Sequence, residues 1–283
     1  MSALATMPRK RRTNDELDVL DAAIIAAVDA DAPVSLRGVY YRVVSAGAID
    51  KTETGYKAIG RRLLKLRRNR RVSYADITDG TRWITAPTTY DSVEDALRET
   101  ARSYRRALWS HAEHRVQVFS EKDAISGVIL PITDRWDVPI GVLRGYVSET
   151  FAWQVARSLD PRRSHVLVQL GDHDPSGVGA WADFSQKVAA FTDAVEVEFI
   201  RLAVTAGQIE LLNLPTRPTK RSDTRAKNWV GGSVEVDAIP AAVLRSMLDQ
   251  FIESYVDSHQ LAVLEVAEAD ERRVLERIAG VSA

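Results

Sequence analysis

The chain has 283 residues and a mass of 31.4 kDa, which allows one large domain or two of ordinary size, and 45% of its residues are hydrophobic, enough to build buried cores. It contains no cysteine, and this excludes disulfide bonds, thiol catalysis and zinc sites built from thiolates. No apolar run approaches the roughly 18 residues that cross a bilayer, and no apolar stretch follows the basic start as it does in secretory signals. We therefore expect a cytoplasmic protein without a membrane segment.

The net charge of −1 conceals two parts of opposite sign. Residues 1–110 contain 20 Lys and Arg against 14 Asp and Glu, whereas the remaining 173 residues contain 18 against 25. A basic N-terminal part joined to an acidic remainder indicates a module that binds a polyanion, attached to a second module. The acidic part is compatible with a metal site, a partner surface or a solvated face.

The N-terminal part of the chain predicts a winged-helix domain over residues 13–90, after a basic, disordered tail over residues 1–12. Apolar residues at helical spacing, with Thr13 or Asn14 and Ser35 as N-caps, predict three helices, over about 13–30, 36–46 and 54–69. Residues 72–83 alternate weakly around Asp79-Gly80, which favours a hairpin. Three helices followed by a small hairpin is the order of elements in a winged-helix domain. A connecting helix over 92–110 then fills the segment 91–112.

The pattern changes to alternating strands and helices in the C-terminal part, which we take as a second domain over residues 113–283. Strands separated by helices of 10–15 residues predict right-handed βαβ units and a parallel sheet. The predicted strands cover 115–119, 139–143, 165–170 and 195–200, and the helices 123–132, 148–159 and 177–190. An exposed basic loop over 214–229 and two acidic helices, about 240–256 and 260–279, complete the domain. The expected fold class is α/β plus a mainly α domain.

The third predicted helix is strongly basic. Residues 51–71 contain nine Lys and Arg and one acid, Glu53, while Ile59, Leu63 and Leu66 supply an apolar stripe. A helix that is buried on one side and cationic elsewhere, at this place in a winged-helix domain, favours binding to the phosphates of double-stranded DNA. The alternative is a solvated face. We select as DNA contacts the basic residues Lys57, Arg61, Arg62, Lys65 and Arg68, together with Lys122 of the second domain, for which a bystander role is equally open.

Acidic residues follow two strands of the predicted sheet. Glu121 comes directly after the first strand, and Asp172 and Asp174 follow the third. The carboxyl ends of parallel strands share one edge, where ligands bind, so these side chains should converge although they are about 50 residues apart. Carboxylates gathered in one crevice repel one another unless a hard cation lies between them, and such oxygen ligands suit Mg²⁺. Taken singly, each acid could equally be a helix cap or a turn residue.

The two motifs together resemble the Toprim domain of topoisomerases, primases and related nucleases. They read Ser120-Glu121-Lys122 after one strand and Asp172-His-Asp174-Pro-Ser-Gly177 after another. The resemblance implies that Glu121, Asp172 and Asp174 hold one or two Mg²⁺ ions.

The second predicted helix carries two adjacent tyrosines, Tyr40 and Tyr41, with Arg37 one turn before Tyr41. A tyrosine hydroxyl can attack phosphorus and form a phosphotyrosyl ester. Without further information, such a pair is more often part of a core. A winged-helix domain with Arg-x-x-Tyr-Tyr before a Toprim domain, however, resembles the A subunit of type IIB topoisomerases (topoisomerase VI) and the related meiotic break-forming transesterase, over residues 34–240. Gly38, where that family usually has an acidic or amide side chain, and the short chain are departures from the pattern.

This resemblance implies that Tyr41 is the nucleophile, assisted by Arg37, and that a homodimer makes double-strand breaks with 5′-phosphotyrosyl ends. It also implies that the tyrosine of one subunit meets the metal site of the other. The sequence has no Gly-x-x-x-x-Gly-Lys-Ser/Thr motif, so ATP-driven strand passage would need a separate B-type ATPase subunit. Two alternatives stay open: a Toprim-type Mg²⁺ nuclease that activates water, and a non-enzymatic DNA-binding subunit.

Overall fold

The computed structural model describes residues 13–78, 87–192, 195–218, 229 and 231–280, which combine helices with two parallel sheets. The mixed class of helices and a parallel sheet is therefore confirmed. The predicted tail over residues 1–12, the turn at Asp79-Gly80 and most of the predicted loop over 214–229 lie outside the described residues.

Three helices form the N-terminal part, at the places that the sequence predicts. The Thr13 side chain begins the first with a capping box that includes Glu16, and Ser35 and Thr52 cap the next two. Their bounds are α1 (Asn14–Asp31), α2 (Leu36–Ser45) and α3 (Glu53–Arg68).

Two short strands, β1 (Val34–Ser35) and β2 (Ile77–Thr78), pair in parallel, with Val34 opposite Ile77. The sequence predicts that residues 77–78 belong to a hairpin, and the second half of that hairpin is outside the described residues. The described half pairs with the residues that precede α2, because Val34 is buried there and its N–H donates to the carbonyl of Asp76 (2.9 Å).

The connecting helix is shorter than predicted. This helix, α4 (Val93–Ser103), ends seven residues before the expected Ser110, because Tyr104 is extended and bonded to another element. The Tyr104 hydroxyl donates to Glu271 (2.6 Å), and Arg272 donates to the Tyr104 carbonyl (2.8 Å). Both partners belong to the last helix, which this pairing fixes against α4.

The second part of the chain contains a four-stranded parallel sheet in the order β4-β3-β5-β6. The four strands and the three helices between them are those predicted, with ends that differ by a few residues. The strands are β3 (His114–Ser120), β4 (Ile140–Val142), β5 (Ser164–Leu170) and β6 (Val197–Ala203), and the helices are α5 (Asp123–Arg135), α6 (Glu149–Ser158) and α7 (Pro175–Ala190). The predicted final pair of helices is also present, as α9 (Ala241–Glu253) and α10 (Ser258–Ile278), after two elements that were not predicted, α8 (Ala206–Leu211) and a 3₁₀ turn (Val236–Ala238).

Buried apolar residues cover both faces of this sheet. On one face, Phe184 of α7 and Ala152 of α6 pack against the strands. On the other face, the strands, α5 and α9 join the N-terminal helices in one continuous core, which includes Ile24, Val118 and Leu248. Because of this shared core, α2 packs against the 3₁₀ turn at the carboxyl edge of the sheet. None of the described helices has the length and hydrophobicity needed to cross a membrane.

Candidate functional site

The carboxyl ends of β3 and β5 bring two of the predicted acidic residues into contact. Ser120 pairs with Leu170 at the ends of these neighbouring strands, so the residues that follow emerge side by side. The N–H of Asp172 donates to Oε2 of Glu121 (2.7 Å). Asp174 is placed differently: it caps α7, and its Oδ1 accepts from the N–H of Gly177 (2.8 Å). Of the three acids expected to converge, Glu121 and Asp172 are thus in contact, whereas Asp174 caps α7 and lies 3.9 Å from Nη2 of Arg217.

The Glu121 carboxylate lies in a tight cradle formed by two glycines. A Cβ atom at Gly171 or Gly177 would lie 2.8 or 2.9 Å from Oε2 of Glu121, so a side chain at either position would displace it. Burial, together with the negative charge of Asp172, raises the pKa of Glu121 to about 7. The ionised carboxylate is therefore short of positive partners, and a cation would stabilise it.

Lys122 lies among three carboxylates. Its Nζ is 2.8 Å from Asp172, 3.1 Å from Asp237 and 3.5 Å from Glu235. Burial alone lowers the pKa of Lys122, but these three charges outweigh it and raise the pKa above its ordinary value. The side chain that we selected as a phosphate contact is therefore already engaged with acids of its own chain.

Glu235 and Asp237, at the 3₁₀ turn, complete the site, and sequence reasoning missed them. Glu235 is buried and accepts two bonds from Nη1 of Arg37 (2.6 and 2.8 Å), and it lies 2.8 Å from Nη1 of Arg217. Burial raises the pKa of Glu235, but the positive charges of Lys122, Arg37 and Arg217 have the larger effect and hold it below its usual range. Asp237 accepts from the Ser35 hydroxyl (2.5 Å), at the start of α2.

Tyr41 lies beside these charges in the same chain. Its side chain is buried, and Nζ of Lys51 is 5.2 Å from the centre of its ring. Burial and the negative charge of Glu235 raise the pKa of Tyr41 to about 12, against the opposing effect of Arg217, Arg37 and Lys122. The resemblance implies that this tyrosine meets the metal site of a second subunit, whereas here it lies near Glu235 of its own chain.

The adjacent tyrosine has a different environment. The Tyr40 hydroxyl donates to the carbonyl of Thr52 (3.1 Å), and its ring packs edge-on against Tyr56. Gly38, two residues earlier on the same helix, has no space for a side chain, because a Cβ would lie 2.8 Å from a methyl group of Val34. This close approach of α2 to β1 accounts for a glycine at position 38.

Arg201 of β6 supports the backbone of the acidic loop and was also missed by sequence reasoning. It donates to the carbonyls of Gly171 and Asp172 and to the side-chain amide oxygen of Gln169. Burial lowers its pKa below the ordinary arginine value. The ring of His173, between the two aspartates, packs against Trp229, and its Nδ1 lies 3.3 Å from the carbonyl oxygen of Val204.

The basic residues of α3 fall into two groups. The side chains of Lys57, Arg61, Lys65 and Arg68 are exposed, as expected for a surface that contacts phosphates. Arg62 instead forms an ion pair with Asp21 of α1, in which its Nε donates to Oδ1 (2.6 Å), and its side chain is largely covered. Arg62 therefore joins α3 to α1, and we omit it from the candidate DNA surface.

The donor chemistry of the site fits Mg²⁺, although its side chains now hold Lys122. In the described part of the chain, no three acidic or histidine side chains converge in an arrangement that could hold a metal ion. Glu121 and Asp172 nevertheless meet through the backbone N–H of Asp172, and burial, followed by the negative charge of Asp172, raises the pKa of Glu121 to about 7. Their carboxylate oxygens are ligands of the kind that Mg²⁺ prefers.

Comparison of the chain with models of known protein families and with curated protein sequences found no match.

Proposed function

We propose that this protein cleaves double-stranded DNA by transesterification, with Tyr41 as the nucleophile, in the manner of a topoisomerase VI A subunit. The observation that carries the proposal is that α2, which bears Arg37 and Tyr41, packs against the turn of Glu235 and Asp237. Lys122 lies within 3.5 Å of both of these acids and 2.8 Å from Asp172, at the carboxyl edge of the sheet.

The proposed reaction needs no oxidant and no other reactant. The oxygen of Tyr41 forms a bond to phosphorus while the bond from phosphorus to the deoxyribose 3′ oxygen breaks. The hydroxyl proton ends on that 3′ oxygen, directly or through solvent. The products are a 5′-phosphotyrosyl end and a free 3′ hydroxyl. Arg37, on the same helix as Tyr41, is placed to stabilise charge on the phosphate.

In this proposal the N-terminal helices form a winged-helix domain and the four-stranded sheet a Toprim domain. Their support is the order of α1, α2 and α3 and the position of the acids after two neighbouring parallel strands. Glu121, Asp172 and Asp174 would hold Mg²⁺, which supplies stabilisation of the charge on phosphate oxygens when bound. Metal binding would require Lys122 to release Asp172.

DNA binding is proposed for the exposed basic face of α3, formed by Lys57, Arg61, Lys65 and Arg68. A second copy of the chain would supply the second cut, as the resemblance implies. A separately encoded B-type ATPase subunit would be needed only for strand passage.

One observation favours hydrolysis as a second candidate function. Tyr41 is only 4% exposed and its pKa is raised, so a water molecule held at the carboxylates would reach a phosphate more readily than a covered hydroxyl. In that case the protein would be a Toprim-type Mg²⁺ nuclease.

Labelled supercoiled DNA, incubated with the protein and Mg²⁺ and then denatured with and without protease, separates these functions. We expect a linear DNA product that is found in the protein fraction before protease treatment and is released from it by protease. Cleavage without such a link would indicate water as the nucleophile. Binding without cleavage, at all Mg²⁺ concentrations tested, would indicate a non-enzymatic DNA-binding subunit.

A further inference from the structure

Two arginines that are far apart in the sequence share one buried carboxylate beside Tyr41. Arg37 lies on α2, and Arg217 lies after α8, just before the segment that leads to the 3₁₀ turn. Both guanidinium groups bond Oε1 of Glu235, each at 2.8 Å. The pair is therefore fixed by a common anion, with both positive charges close together.

The exposure of these groups shows which side of the pair faces solvent. The Glu235 side chain is 4% exposed, whereas those of Arg37 and Arg217 are 40% and 35% exposed. Both bonds from Arg37 to Glu235 come from Nη1, so its Nε and Nη2 are not used by that carboxylate. The carboxylate lies behind the arginines, whose side chains are partly exposed; Nη2 of Arg217 is in addition 3.9 Å from Oδ2 of Asp174.

Backbone hydrogen bonds hold Arg217 in this position. Its N–H donates to the carbonyl of Ser233 (2.9 Å) and its carbonyl accepts from the N–H of Ser233 (2.8 Å). Next to this pair, Val234 bonds in both directions with His173 of the acidic loop. The two bridges connect Arg217, Glu235 and the loop that carries Asp172 through a short path of paired backbone.

We infer that Arg37 and Arg217 form a two-arginine clamp for a DNA phosphate, and that Glu235 is a positioning residue that aligns them. This inference rests on the proposed function and adds Arg217 and Glu235 to it. Guanidinium groups are suited to the role because their planar N–H groups match two phosphate oxygens at once. Two cations held this close would repel each other without a buried anion between them.

DNA affinity without cleavage gives the direct test. In a Tyr41→Phe background, with EDTA and a labelled random-sequence duplex, Arg217→Gln should weaken binding roughly tenfold and reduce the salt slope by about one unit. The matched control is Arg162→Gln, which removes the same charge from an exposed arginine at the opposite edge of the sheet and should leave the affinity within about twofold. Equal affinities of the Arg217 and Arg162 variants would overturn the inference.

Glu235 is tested by a double-mutant cycle on the same affinities. If Glu235 acts by aligning the arginines, Glu235→Gln should change affinity much less when Arg217 is already Gln. Equal changes in the two backgrounds would overturn its positioning role. If Arg217→Gln does not unfold cooperatively on heating, Arg217→Lys replaces it in the binding assay. Lysine keeps the positive charge but lacks the planar pair of N–H groups of a guanidinium. Weaker DNA binding by Arg217→Lys supports the clamp, and unchanged binding overturns it.

These measurements are independent of the cleavage chemistry. Absence of a covalent adduct with the wild-type protein would refute the tyrosine mechanism and leave the clamp test intact, because that test contains no Mg²⁺ and no Tyr41 hydroxyl.

Discussion

Tyr40 and Tyr41 are chemically identical neighbours in very different surroundings. The hydroxyl of Tyr40 is bonded to a backbone carbonyl, which fixes it as a structural group. Tyr41 instead adjoins Glu235 and several cations, and burial with that carboxylate raises its pKa to about 12. At neutral pH the Tyr41 hydroxyl therefore keeps its proton.

Removing the Tyr41 hydroxyl should separate chemistry from binding. In Tyr41→Phe, cleavage and the covalent adduct should disappear together, while DNA affinity stays within about twofold, because the ring and its packing remain. Tyr40→Phe is the matched control and should keep most of the cleavage activity, since adjacent residues on a helix are rotated by about 100°. Cleavage and adduct are read from the same denaturing gels, and affinity from binding isotherms without Mg²⁺. Cleavage by Tyr41→Phe at the wild-type rate would establish water as the nucleophile.

The carboxylates should be needed for cleavage but not for binding. Glu121→Gln and Asp172→Asn should each reduce the cleavage rate about a hundredfold or more, because a bound metal contributes several kcal/mol to the transition state. Asp174→Asn should do the same, with some loss of stability because Asp174 also caps α7. Glu198→Gln, on an exposed part of β6, is the control. Mg²⁺ titration by calorimetry should show weakened binding in the three variants, and unchanged metal affinity would contradict the assignment.

At the scale of elements, α3 allows binding and stability to be tested on one helix. Changing Arg61, Lys65 and Arg68 to Gln should weaken affinity for DNA of any sequence and reduce the salt slope by about 0.9 for each phosphate that is no longer neutralised. Arg62→Gln, one residue along, should instead lower the unfolding temperature, because it breaks the ion pair with Asp21. Binding isotherms at several salt concentrations and thermal melts distinguish the two effects. An unchanged slope in the triple variant would show that this face of α3 does not meet DNA.

We expect the buried histidine of β5, His165, to make the free energy of unfolding depend on pH. Burial lowers the pKa of His165, and the bond to the carbonyl of Asp160 opposes this effect only in part. The unfolded chain thus binds a proton more readily than the folded one, so stability is full above the unfolded value of about 6.5 and decreases as the pH falls through it. Urea unfolding at pH 7.5 and 5.0 should show a smaller difference in His165→Gln than in the wild type. An identical difference in both proteins would assign the pH dependence to other groups.

Local patterns in the sequence predict most of the regular elements, because their signals are short in range. Ser35 and Thr13 cap helices as their side chains dictate, and β5 is a largely apolar run, as a central parallel strand should be. The end of α4 could not be predicted, since it depends on bonds from Tyr104 to residues 167 and 168 positions later. The 3₁₀ turn has neither helical nor strand periodicity, so the sequence contains no signal for it.

At the scale of the whole molecule, the N-terminal helices and the sheet share their buried core. Arg245 of α9 donates to the carbonyls of Asp31, Ala32 and Pro33, between α1 and β1. This contact and the continuous apolar cluster place α2 at the edge of the sheet. The position of Tyr41 near the carboxylates is thus a property of the complete fold.

The sequence predicts only those parts of the candidate site whose residues follow neighbouring strands of the parallel sheet. Glu121 and Asp172 meet because each follows one of two neighbouring parallel strands, and strand patterns are legible in sequence. No strand pattern predicts the positions of Arg217 and Glu235. Arg217 precedes a long basic segment of the sequence, and Glu235 follows it. Only the packed structure brings their charges together.

The distance along the chain between the partners of Glu235 has a consequence for biosynthesis. Arg37 and Glu235 are 198 positions apart, so at typical rates of translation roughly 10 to 40 s pass between the synthesis of one and the other. During that interval α2 and Tyr41 already exist in the nascent chain, while their buried counter-charge does not. A nascent or prematurely terminated chain therefore carries Arg37 and Tyr41 without the carboxylate that holds Arg37. Under the proposed function, cleavage would begin only once the later part of the message has been translated.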